Sequence, residues 1–311
     1  MATLRQVAVD FCIGCVVGIS LLMAAINLWL EKRILQQKHD ASREILPTRR
    51  LVAEELRITV IIATKNESRT IGKTMRNFEN TTVDKSRVEI IIVDVGSMDR
   101  TIEVAKASSG SIPVTYINKI DSGGGRGLAI NAGYEKSSGD ILLILRADSL
   151  VPPRYDETIR LEFSKSNLLF AAFKFSVDKR ASFNQGLWVL AHYFNLRSSL
   201  FWFPSAIQGL ALTSQAFEIH KFPDHVIMDD VAFYLNIRNT CLSYDLEFKL
   251  LNQPITSSSS RWENIGVLTW ITLDSLAHYA YINLHMQPER VFYLCYDLLP
   301  HLIKNFFRRS K

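Results

Sequence analysis

The sequence predicts an α/β protein built on a mainly parallel sheet, and three observations point to this fold class. Short apolar runs alternate with amphipathic stretches from about residue 57 onward, which is typical of βαβ units. The run from Ile141 to Leu145 contains no polar residue, as expected of a strand that is covered on both faces. Polar residues follow each predicted strand, so the carboxyl ends of the strands are expected to form a polar edge where a ligand can bind.

The overall composition indicates a folded chain with a substantial core. The 311 residues are 48% hydrophobic and 22% charged, with a formal net charge of +5. The basic residues concentrate after the first apolar segment and at the C-terminus, which favours an anionic membrane surface over nucleic acid as a partner. Cys12 and Cys15 lie in an apolar run while Cys241 and Cys295 stand alone, so neither a disulfide framework nor a zinc site is predicted.

The first 30 residues are predicted to form an N-terminal membrane anchor. The segment from Phe11 to Leu30 carries no charge and has about the length of a bilayer-spanning helix. A cleavable signal peptide is the alternative, but the apolar residues continue to Leu30 without a polar cleavage region. More Lys and Arg residues follow this segment than precede it, so the main domain is expected to be cytoplasmic, with a luminal location as the alternative. Residues 31–56 read as a stalk and linker.

Strands and helices are then predicted in alternation. The strands of the first half are Ile58 to Ala63, Val88 to Val93, Val114 to Ile117 and Ile141 to Leu145. The helices between them are Ser68 to Phe78, Thr101 to Ala107 and Leu128 to Lys136. The second half is expected to contain strands at Leu168 to Val177 and Ile207 to Thr213, and helices at Ser182 to Phe203 and from Asp229 to about Asn239.

Two apolar segments of the second half need an assignment. The aromatic residues of the helix at 182–203 are assigned to the core rather than to a shelf for stacking sugars. The stretch from Ile265 to Leu284 is nearly apolar enough for a second membrane span, but it contains Asp274 and His278. Because charged groups in a span are costly, a helix packed on the domain or lying in the membrane interface is favoured. His278 itself has no partner at metal-ligand spacing and is not assigned a function.

The polar residues at the strand ends form a candidate site. They are Thr64, Asn66 and Glu67 after the first strand, Asp94 and Asp99 after the second, a glycine-rich loop ending at Arg126 after the third, and Arg146 and Asp148 after the fourth. Asn66 and Asp99 are also ordinary helix N-cap residues, and Asp148 fits equally well as a cap for the turn before Pro152. The glycine run matches neither a Walker loop nor a dinucleotide fingerprint, yet it can bring backbone amides and Arg126 toward a diphosphate.

The order of these motifs resembles the family 2 glycosyltransferases, inverting enzymes of the GT-A fold, and is most similar to the rSAM/selenodomain-associated transferases. The resemblance extends from about residue 57 to 293 and is carried by TVIIATKNE, VEIIIVDVGSMDRT, GRGLAINAGYEKSSGDILLILRADS, IQGLAL, MDDV and SSRWENIGVL. It implies a mixed, mainly parallel sheet flanked by helices over 57–264, with a nucleotide-sugar half at 57–149 and an acceptor half at 150–264. Residues 265–311 are expected to form amphipathic helices that associate with the membrane.

The resemblance also implies roles for individual residues. Positions associated with binding a nucleoside diphosphate sugar, expected to be UDP-linked, are occupied by Thr64, Asn66, Glu67, Asp94, Asp99, Arg126, Asn131, Arg146, Gln208, Arg261 and Trp262. Asp148 matches an acid that holds a divalent cation, Mg²⁺ or Mn²⁺. Asp230, beside Asp229, matches the general base. A purely structural reading of the two adjacent acids is that they favour the dipole of the helix that they begin.

Three residues depart from the family pattern. Val95 replaces the small or acidic residue common after the second-strand Asp, and Asp229 stands in for the usual Glu of the acid pair. Arg146 stands where a His or Asp is expected, two residues before Asp148. Two outcomes stay open: Arg146 points away and leaves weak metal binding by Asp148, or it neutralises the leaving diphosphate itself and makes a metal dispensable.

The resulting hypothesis is a membrane-anchored inverting glycosyltransferase that acts on a lipid or glycan hydroxyl. A non-catalytic, membrane-tethered nucleotide-sugar-binding or scaffold protein is the alternative, motivated by Arg146. A nucleotidyltransferase is disfavoured because its glycine-and-lysine-rich opening loop is missing.

Overall fold

The computed structural model describes residues 52–118, 125–165, 167–177, 185–225, 227–257 and 267–299, together with Gly18. The rest of the predicted anchor, nearly all of the stalk, the glycine run at 121–124, Arg261, Trp262 and the basic tail at 301–311 lie outside the described residues. Within the described residues, no helix combines the length and the apolar character needed to cross a membrane.

Four parallel strands form one half of a single eight-stranded sheet. They are β1 (Ile58–Thr64), β2 (Val88–Asp94), β3 (Val114–Asn118) and β4 (Ile141–Arg146), in the spatial order β3-β2-β1-β4. All four were predicted, and each extends one residue past its predicted end. Backbone pairing does not require an apolar side chain, so the ladder continues onto the first polar residue of each strand. The sheet itself therefore fixes the backbone of Thr64, Asp94 and Arg146.

The other half makes the sheet mixed, as predicted. It contains β5 (Ser149–Leu150), β6 (Leu168–Val177), β7 (Leu210–Thr213) and β8 (Glu247–Ser257), and the order continues from β4 as β7-β6-β8-β5. Strand β7 is antiparallel to both β4 and β6, whereas β6 and β8 are parallel. Strands β5 and β8 were not predicted. β8 alternates Glu247 and Lys249 with apolar residues and is half exposed, which gives it a weak apolar signal.

Helices cover both faces of the sheet. They are α1 (Ile71–Thr81), α2 (Thr101–Ala107), α3 (Arg126–Tyr134), α4 (Tyr155–Phe163), α5 (Gln185–Phe201), α6 (Ser214–Ile219), α7 (Asp229–Tyr244), α8 (Val267–Ile282) and α9 (Pro288–Phe292), with 3-10 turns at Lys85–Arg87 and Ala206–Gln208 and a π-helix at Tyr293–Leu298. Of these, α4 and α6 were not predicted. Ile62 of β1 joins the core under α1, while the adjacent Ile61 joins the core under α3 and α7. Successive side chains of a strand point to opposite faces, which explains this division.

Helix α8 packs on the domain, which is one of the two placements predicted for the stretch 265–284. Ile271 of α8 is buried in a cluster with Leu190 and Phe194 of α5. Its buried Asp274 accepts a hydrogen bond from Arg197 at 3.0 Å. The aromatic residues of α5 are divided, because Phe194 is buried while Trp188 is 66% exposed. The assignment of these aromatic residues to the core was therefore correct only for the inner face of α5.

Two predicted boundaries were wrong for a local reason. Helix α1 begins at Ile71 rather than Ser68, because Asn66 has a left-handed backbone (φ 55°) and residues 67–70 form a turn. The strand predicted at 207–213 begins only at Leu210. The residues before it form a 3-10 turn that ends at Gly209, whose φ of 62° is unsuited to an L side chain.

Candidate active site

Two adjoining cavities lie along the edge where β1 and β4 end. The larger has a volume of 510 Å³ and the smaller 310 Å³, and both have Arg126 and Arg146 in their walls. The smaller cavity is lined also by Thr64, Lys65, Glu67, Val95, Gly125 and the strand-end alanines Ala63 and Ala147. The larger cavity contains all three acids predicted from the last strand end and the second half, Asp148, Asp229 and Asp230. Side chains more than 100 positions apart in the sequence therefore share one cleft.

The turn after β2 is held by Asp94. Its carboxylate accepts hydrogen bonds from the backbone amide of Ser97 at 3.0 Å and from the Ser97 hydroxyl at 2.5 Å. The same hydroxyl accepts from the Asn66 amide at 2.9 Å, and the Asn66 side-chain oxygen accepts from Met98 N at 2.8 Å. Asp94 is only 5% exposed and lines neither cavity, although its neighbour Val95 lines the smaller one. Asp94 and Asn66 thus shape the wall, and their contact with a ligand stays a prediction.

Asp99 supports the loop that carries Glu67. It accepts hydrogen bonds from Thr101 and from the Ser68 amide, and these bonds lower the pKa of Asp99 to about 2. Thr101 in turn accepts a hydrogen bond from the Glu67 amide at 2.8 Å. The loop is therefore anchored to the start of α2, with Glu67 facing the smaller cavity.

Thr64 presents a polar group to the smaller cavity. The residue is 2% exposed, and its hydroxyl has no hydrogen-bond partner among the described residues. A buried hydroxyl without a partner is unfavourable, so a ligand that supplies one would stabilise this wall.

The start of α3 lies against the start of α7. A Cβ atom at Gly127 would lie 3.0 Å from Asp229 Oδ2 and 2.9 Å from Cβ of Phe222, so only glycine allows this approach. Burial, followed by the charge of Asp230, raises the pKa of Asp229, while Arg126 opposes the rise. Asp229 Oδ2 has no hydrogen-bond partner within the described residues. Burial and the neighbouring charge therefore disfavour ionisation of Asp229 beside Asp230.

Asp230 is oriented by the first turn of α7. Its Oδ1 accepts a hydrogen bond from the backbone amide of Val231 at 2.9 Å, and the residue lines the larger cavity. The charge of Asp230 also contributes to a raised pKa of Tyr234, after the larger effect of burial. Asp230 thus reaches the cavity from a rigid helix, where it can accept a proton from a bound hydroxyl.

Asp148 is held by Arg146 and Ser257. Arg146 Nε donates to Asp148 Oδ1 at 3.1 Å, and the Ser257 hydroxyl donates to Asp148 Oδ2 at 3.0 Å. Two questions left open by the sequence are thereby answered. Arg146 does not point away from Asp148, and the carboxylate is bound by these two groups rather than by the turn before Pro152.

This arrangement does not fit a divalent cation. Both oxygens of Asp148 are already engaged, and a cation at Oδ1 would lie against the Arg146 guanidinium. Among the residues that the structure describes, no three His, Cys, Asp or Glu side chains group to hold a metal. The role of Asp148 as a metal ligand stays a prediction that this arrangement does not favour, and no chemical step is assigned to a cation.

Two other predicted binding residues have structural roles. The Asn131 amide donates to Phe222 O at 2.8 Å and accepts from Phe222 N at 3.0 Å, which ties α3 to the loop before α7. Gln208 has no exposed surface, and its side chain bonds Ser198, Ser205 and the Phe173 carbonyl. Neither residue lines either of the two cavities described above, so their geometry does not support either residue as a ligand contact.

The far wall of the larger cavity was missed from the sequence. It is formed by Arg197, Phe203, Trp270, Asp274, His278 and Phe292. Arg197 pairs with Asp274, and His278 Nδ1 lies 2.6 Å from the Asp274 carbonyl oxygen. The available signal was a spacing of four between Asp274 and His278 in an otherwise apolar helix, which places both on one helical face.

Comparisons with known proteins agree with this geometry. Residues 59–217, just over half of the chain, match the family described as Glycosyl transferase family 2. The chain belongs to this family, as its motifs predicted. Over 100 residues it is 35% identical to undecaprenyl-phosphate 4-deoxy-4-formamido-L-arabinose transferase of Pseudomonas aeruginosa, a match covering 31% of this chain and 29% of that protein. The matches span less than a third of the length of such curated relatives.

Two solved structures show the fold. The mannosyltransferase PcManGT of Pyrobaculum calidifontis, in complex with GDP-Man and Mn²⁺, has a TM-score of 0.58 at 17% identity, covering 94% of this chain and 80% of that one. Residues 1–349 of S. aureus TarS, in complex with UDP, give a TM-score of 0.55 at 14% identity, covering 78% of this chain and 76% of that one. The predicted GT-A-like fold is confirmed. The narrower similarity to the rSAM/selenodomain-associated transferases stays a prediction.

Proposed function

We propose that this chain is a membrane-anchored inverting glycosyltransferase that moves a sugar from a UDP-linked donor to an acceptor hydroxyl. The observation that carries the proposal is the junction of the two cavities at Arg126 and Arg146. One cavity can receive the nucleotide and the other the sugar and acceptor, with the diphosphate between them. The uridine assignment is supported by the motif resemblance, and TarS of similar fold was solved with UDP.

The donor would lie across the ends of β1, β2 and β4. Its nucleoside occupies the smaller cavity beside Glu67 and Val95, and its diphosphate lies against Arg126 and Arg146. Guanidinium groups bind phosphate oxygens through paired N–H donors, so both arginines stabilise the diphosphate as it departs. The sugar then extends into the larger cavity toward Asp230.

Transfer is a single displacement at the anomeric carbon. Asp230 takes the proton of the acceptor hydroxyl, and the hydroxyl oxygen forms a bond to the anomeric carbon from the face opposite the diphosphate. The bond between that carbon and the diphosphate oxygen breaks, and its electron pair leaves with the diphosphate. The product therefore has the opposite anomeric configuration. Burial and the charge of Asp230 raise the pKa of Asp229, so a negative charge on Asp229 beside Asp230 and the leaving diphosphate is disfavoured.

The acceptor is proposed to be a membrane lipid or lipid-linked glycan. Phe203, Trp270 and Phe292 give the larger cavity an apolar wall, and Phe292 is 45% exposed. The Pseudomonas relative is named for undecaprenyl-phosphate, which supports a lipid-bearing acceptor, while the reacting group proposed for this chain is a hydroxyl. With the predicted anchor at 1–30, the domain would work at the membrane surface on the cytoplasmic side.

Asp230→Asn tests the assignment of the base. The variant keeps the size of the side chain but cannot take a proton, so transfer is expected to fall by about 100-fold or more. Nucleotide affinity should be nearly unchanged, because Asp230 lines only the larger cavity. Release of nucleoside diphosphate from a panel of sugar nucleotides, and calorimetry with UDP, measure the two quantities.

Asp224→Asn is the matched control, since Asp224 is exposed and lines neither cavity. Substantial turnover by the Asp230 variant would remove the base assignment. A non-catalytic nucleotide-sugar binder is the second candidate, favoured by the Arg146–Asp148 ion pair in the metal position. Tight UDP-sugar binding by the wild-type chain without turnover under any condition would establish that alternative.

A further inference from the structure

We infer that Arg146, aimed by Asp148, provides the positive charge that a divalent cation would otherwise supply to the leaving diphosphate, so that sugar transfer runs without added metal. The inference rests on the proposed function, because it concerns the departure of a diphosphate from a sugar.

Arg146 lies where the two cavities meet. It is the last residue of β4, paired in register with Ala63 of the central strand β1. Its side chain is 19% exposed, and it lines both cavities together with Arg126. A diphosphate that joins a nucleoside in one cavity to a sugar in the other must pass this boundary. Two guanidinium groups therefore face the part of the donor that gains negative charge.

The orientation of Arg146 is held through a chain of contacts. The Ser257 hydroxyl donates to Asp148 Oδ2 at 3.0 Å, and Asp148 Oδ1 accepts from Arg146 Nε at 3.1 Å. Ser257 is the last residue of β8 and is 2% exposed, so the hydrogen bond to Asp148 comes from a residue whose backbone is fixed by the sheet. The contact with Asp148 uses Nε and leaves the terminal NH₂ groups of the guanidinium as donors for a ligand. Asp148 is thereby a positioning residue for Arg146.

The same contacts disfavour a metal ion. A cation coordinated by Asp148 would have to replace the guanidinium or lie beside its charge, at a carboxylate whose second oxygen already accepts a hydrogen bond. Of the other predicted acids, Asp94 binds Ser97 and Asp99 binds Thr101. Asp229 and Asp230 share the larger cavity with Asp148, but within the described residues these acids do not group to hold a metal. Magnesium and manganese prefer several oxygen ligands, and a single carboxylate that already accepts two hydrogen bonds supplies few of them.

The role of Arg146 adds no proton transfer to the reaction. As the bond between the anomeric carbon and the diphosphate oxygen breaks, its electron pair moves onto the diphosphate, and N–H groups of Arg146 and Arg126 donate to the oxygens that gain charge. The acceptor proton goes to Asp230. Donors that are already oriented stabilise such charge without reorganising during the reaction.

The experiment measures release of nucleoside diphosphate by the full chain in EDTA, in Mg²⁺ and in Mn²⁺. We expect the rate in EDTA to stay within about threefold of the rate with metal, and Arg146→Ala to lower it by about 100-fold. Arg146→Asp places a second carboxylate two residues before Asp148, so its turnover should require Mn²⁺. Calorimetry gives a second readout: Mn²⁺ should leave the affinity of the wild type for UDP unchanged and raise that of Arg146→Asp.

The control variant is Arg87→Ala. Arg87 also pairs its Nε with a nearby carboxylate, Asp84 at 3.3 Å, but it lines neither cavity, so activity and UDP affinity should not change. Thermal unfolding of each variant shows that the fold is intact. Loss of wild-type turnover in EDTA with recovery in Mn²⁺, or full activity of Arg146→Ala, would overturn the inference while leaving the proposed function standing. Absence of turnover with every sugar nucleotide and metal would instead reject the proposed function.

Discussion

Asp229 is a partly buried acid whose environment opposes its charge. Oδ2 has no partner within the described residues, and Asp230 follows it directly in α7. Burial and the Asp230 charge raise the pKa of Asp229 above its ordinary value of 3.8. An acid with a raised pKa in the folded chain binds its proton more tightly there than in the unfolded chain. Ionisation of Asp229 therefore lowers the free energy of unfolding as the pH rises from the unfolded-state pKa through the folded-state pKa.

Asp229→Asn is therefore expected to stabilise the protein at neutral pH. The amide cannot ionise, so the stability of the variant should not fall as the pH rises through this range. Its Tm at pH 7 should be a few degrees above that of the wild type, which corresponds to about 1 kcal/mol in the free energy of unfolding. Thermal unfolding measured from acid to neutral pH tests this. Asp245→Asn, at the exposed C-terminal end of the same helix, should leave the pH dependence of Tm as in the wild type. A Tm for Asp229→Asn below that of the wild type at neutral pH would show that the ionised carboxylate is stabilising.

The short element before β7 depends on one buried side chain. Gln208 accepts hydrogen bonds from Ser205 N and the Ser198 hydroxyl, both at 2.8 Å, and donates to the Phe173 carbonyl at 3.2 Å. These bonds join the 3-10 turn to α5 and β6, next to Ile207 in the wall of the larger cavity. The predicted contact between Gln208 and a ligand is thus replaced by support of the wall.

Gln208→Ala should destabilise the fold by about 3 kcal/mol, because it leaves a cavity and removes the partner of three buried polar groups. Chemical denaturation gives the free energy of unfolding. Gln253→Ala is the matched control, since Gln253 is partly exposed and accepts one hydrogen bond, from Thr158, so its loss should cost less than about 1 kcal/mol. Similar costs for the two variants would show that the Gln208 bonds contribute little.

At the scale of the whole molecule, one ion pair joins α8 to the rest of the domain. Arg197 Nη1 lies 3.0 Å from Asp274 Oδ2, and their side chains are 8% and 9% exposed. The Arg197 guanidinium also lies over the ring of Phe203, 5.3 Å from its centroid. Burial alone would lower the pKa of Arg197, but Tyr193 and Asp274 raise it on balance. The far wall of the larger cavity depends on this contact.

Arg197→Met should destabilise the protein by about 3 to 5 kcal/mol, because Asp274 is left buried without its main partner. The double variant Arg197→Met with Asp274→Leu should recover most of that loss, since it removes both charges. Urea unfolding of the two single variants and the double variant measures the coupling. Additive losses in the double variant would exclude a direct interaction.

The parts predictable from the sequence were those that depend on local pattern. Short apolar runs with polar or glycine flanks, such as Ile141 to Leu145, favour a buried strand, and a strand of a parallel sheet presents its next polar residue at the carboxyl edge. This logic located Arg146 and Asp148 at the edge of a cleft. The same reasoning did not predict β8, because charged residues alternate with apolar ones in this strand that pairs with β6. It also did not predict the structural role of Asn131, whose partner Phe222 is 91 residues away.

The sequence by itself determined the parallel strands, the family and the set of polar residues at one edge of the sheet, because apolar periodicity and turn residues act over a few neighbours. The tertiary structure alone decided what those polar residues do. It directed Arg146 at Asp148, committed Gln208 to the cavity wall and paired Arg197 with Asp274, two residues 77 positions apart. The partner of a long polar side chain depends on which elements pack together, and no local sequence pattern specifies a contact between residues so far apart in the chain.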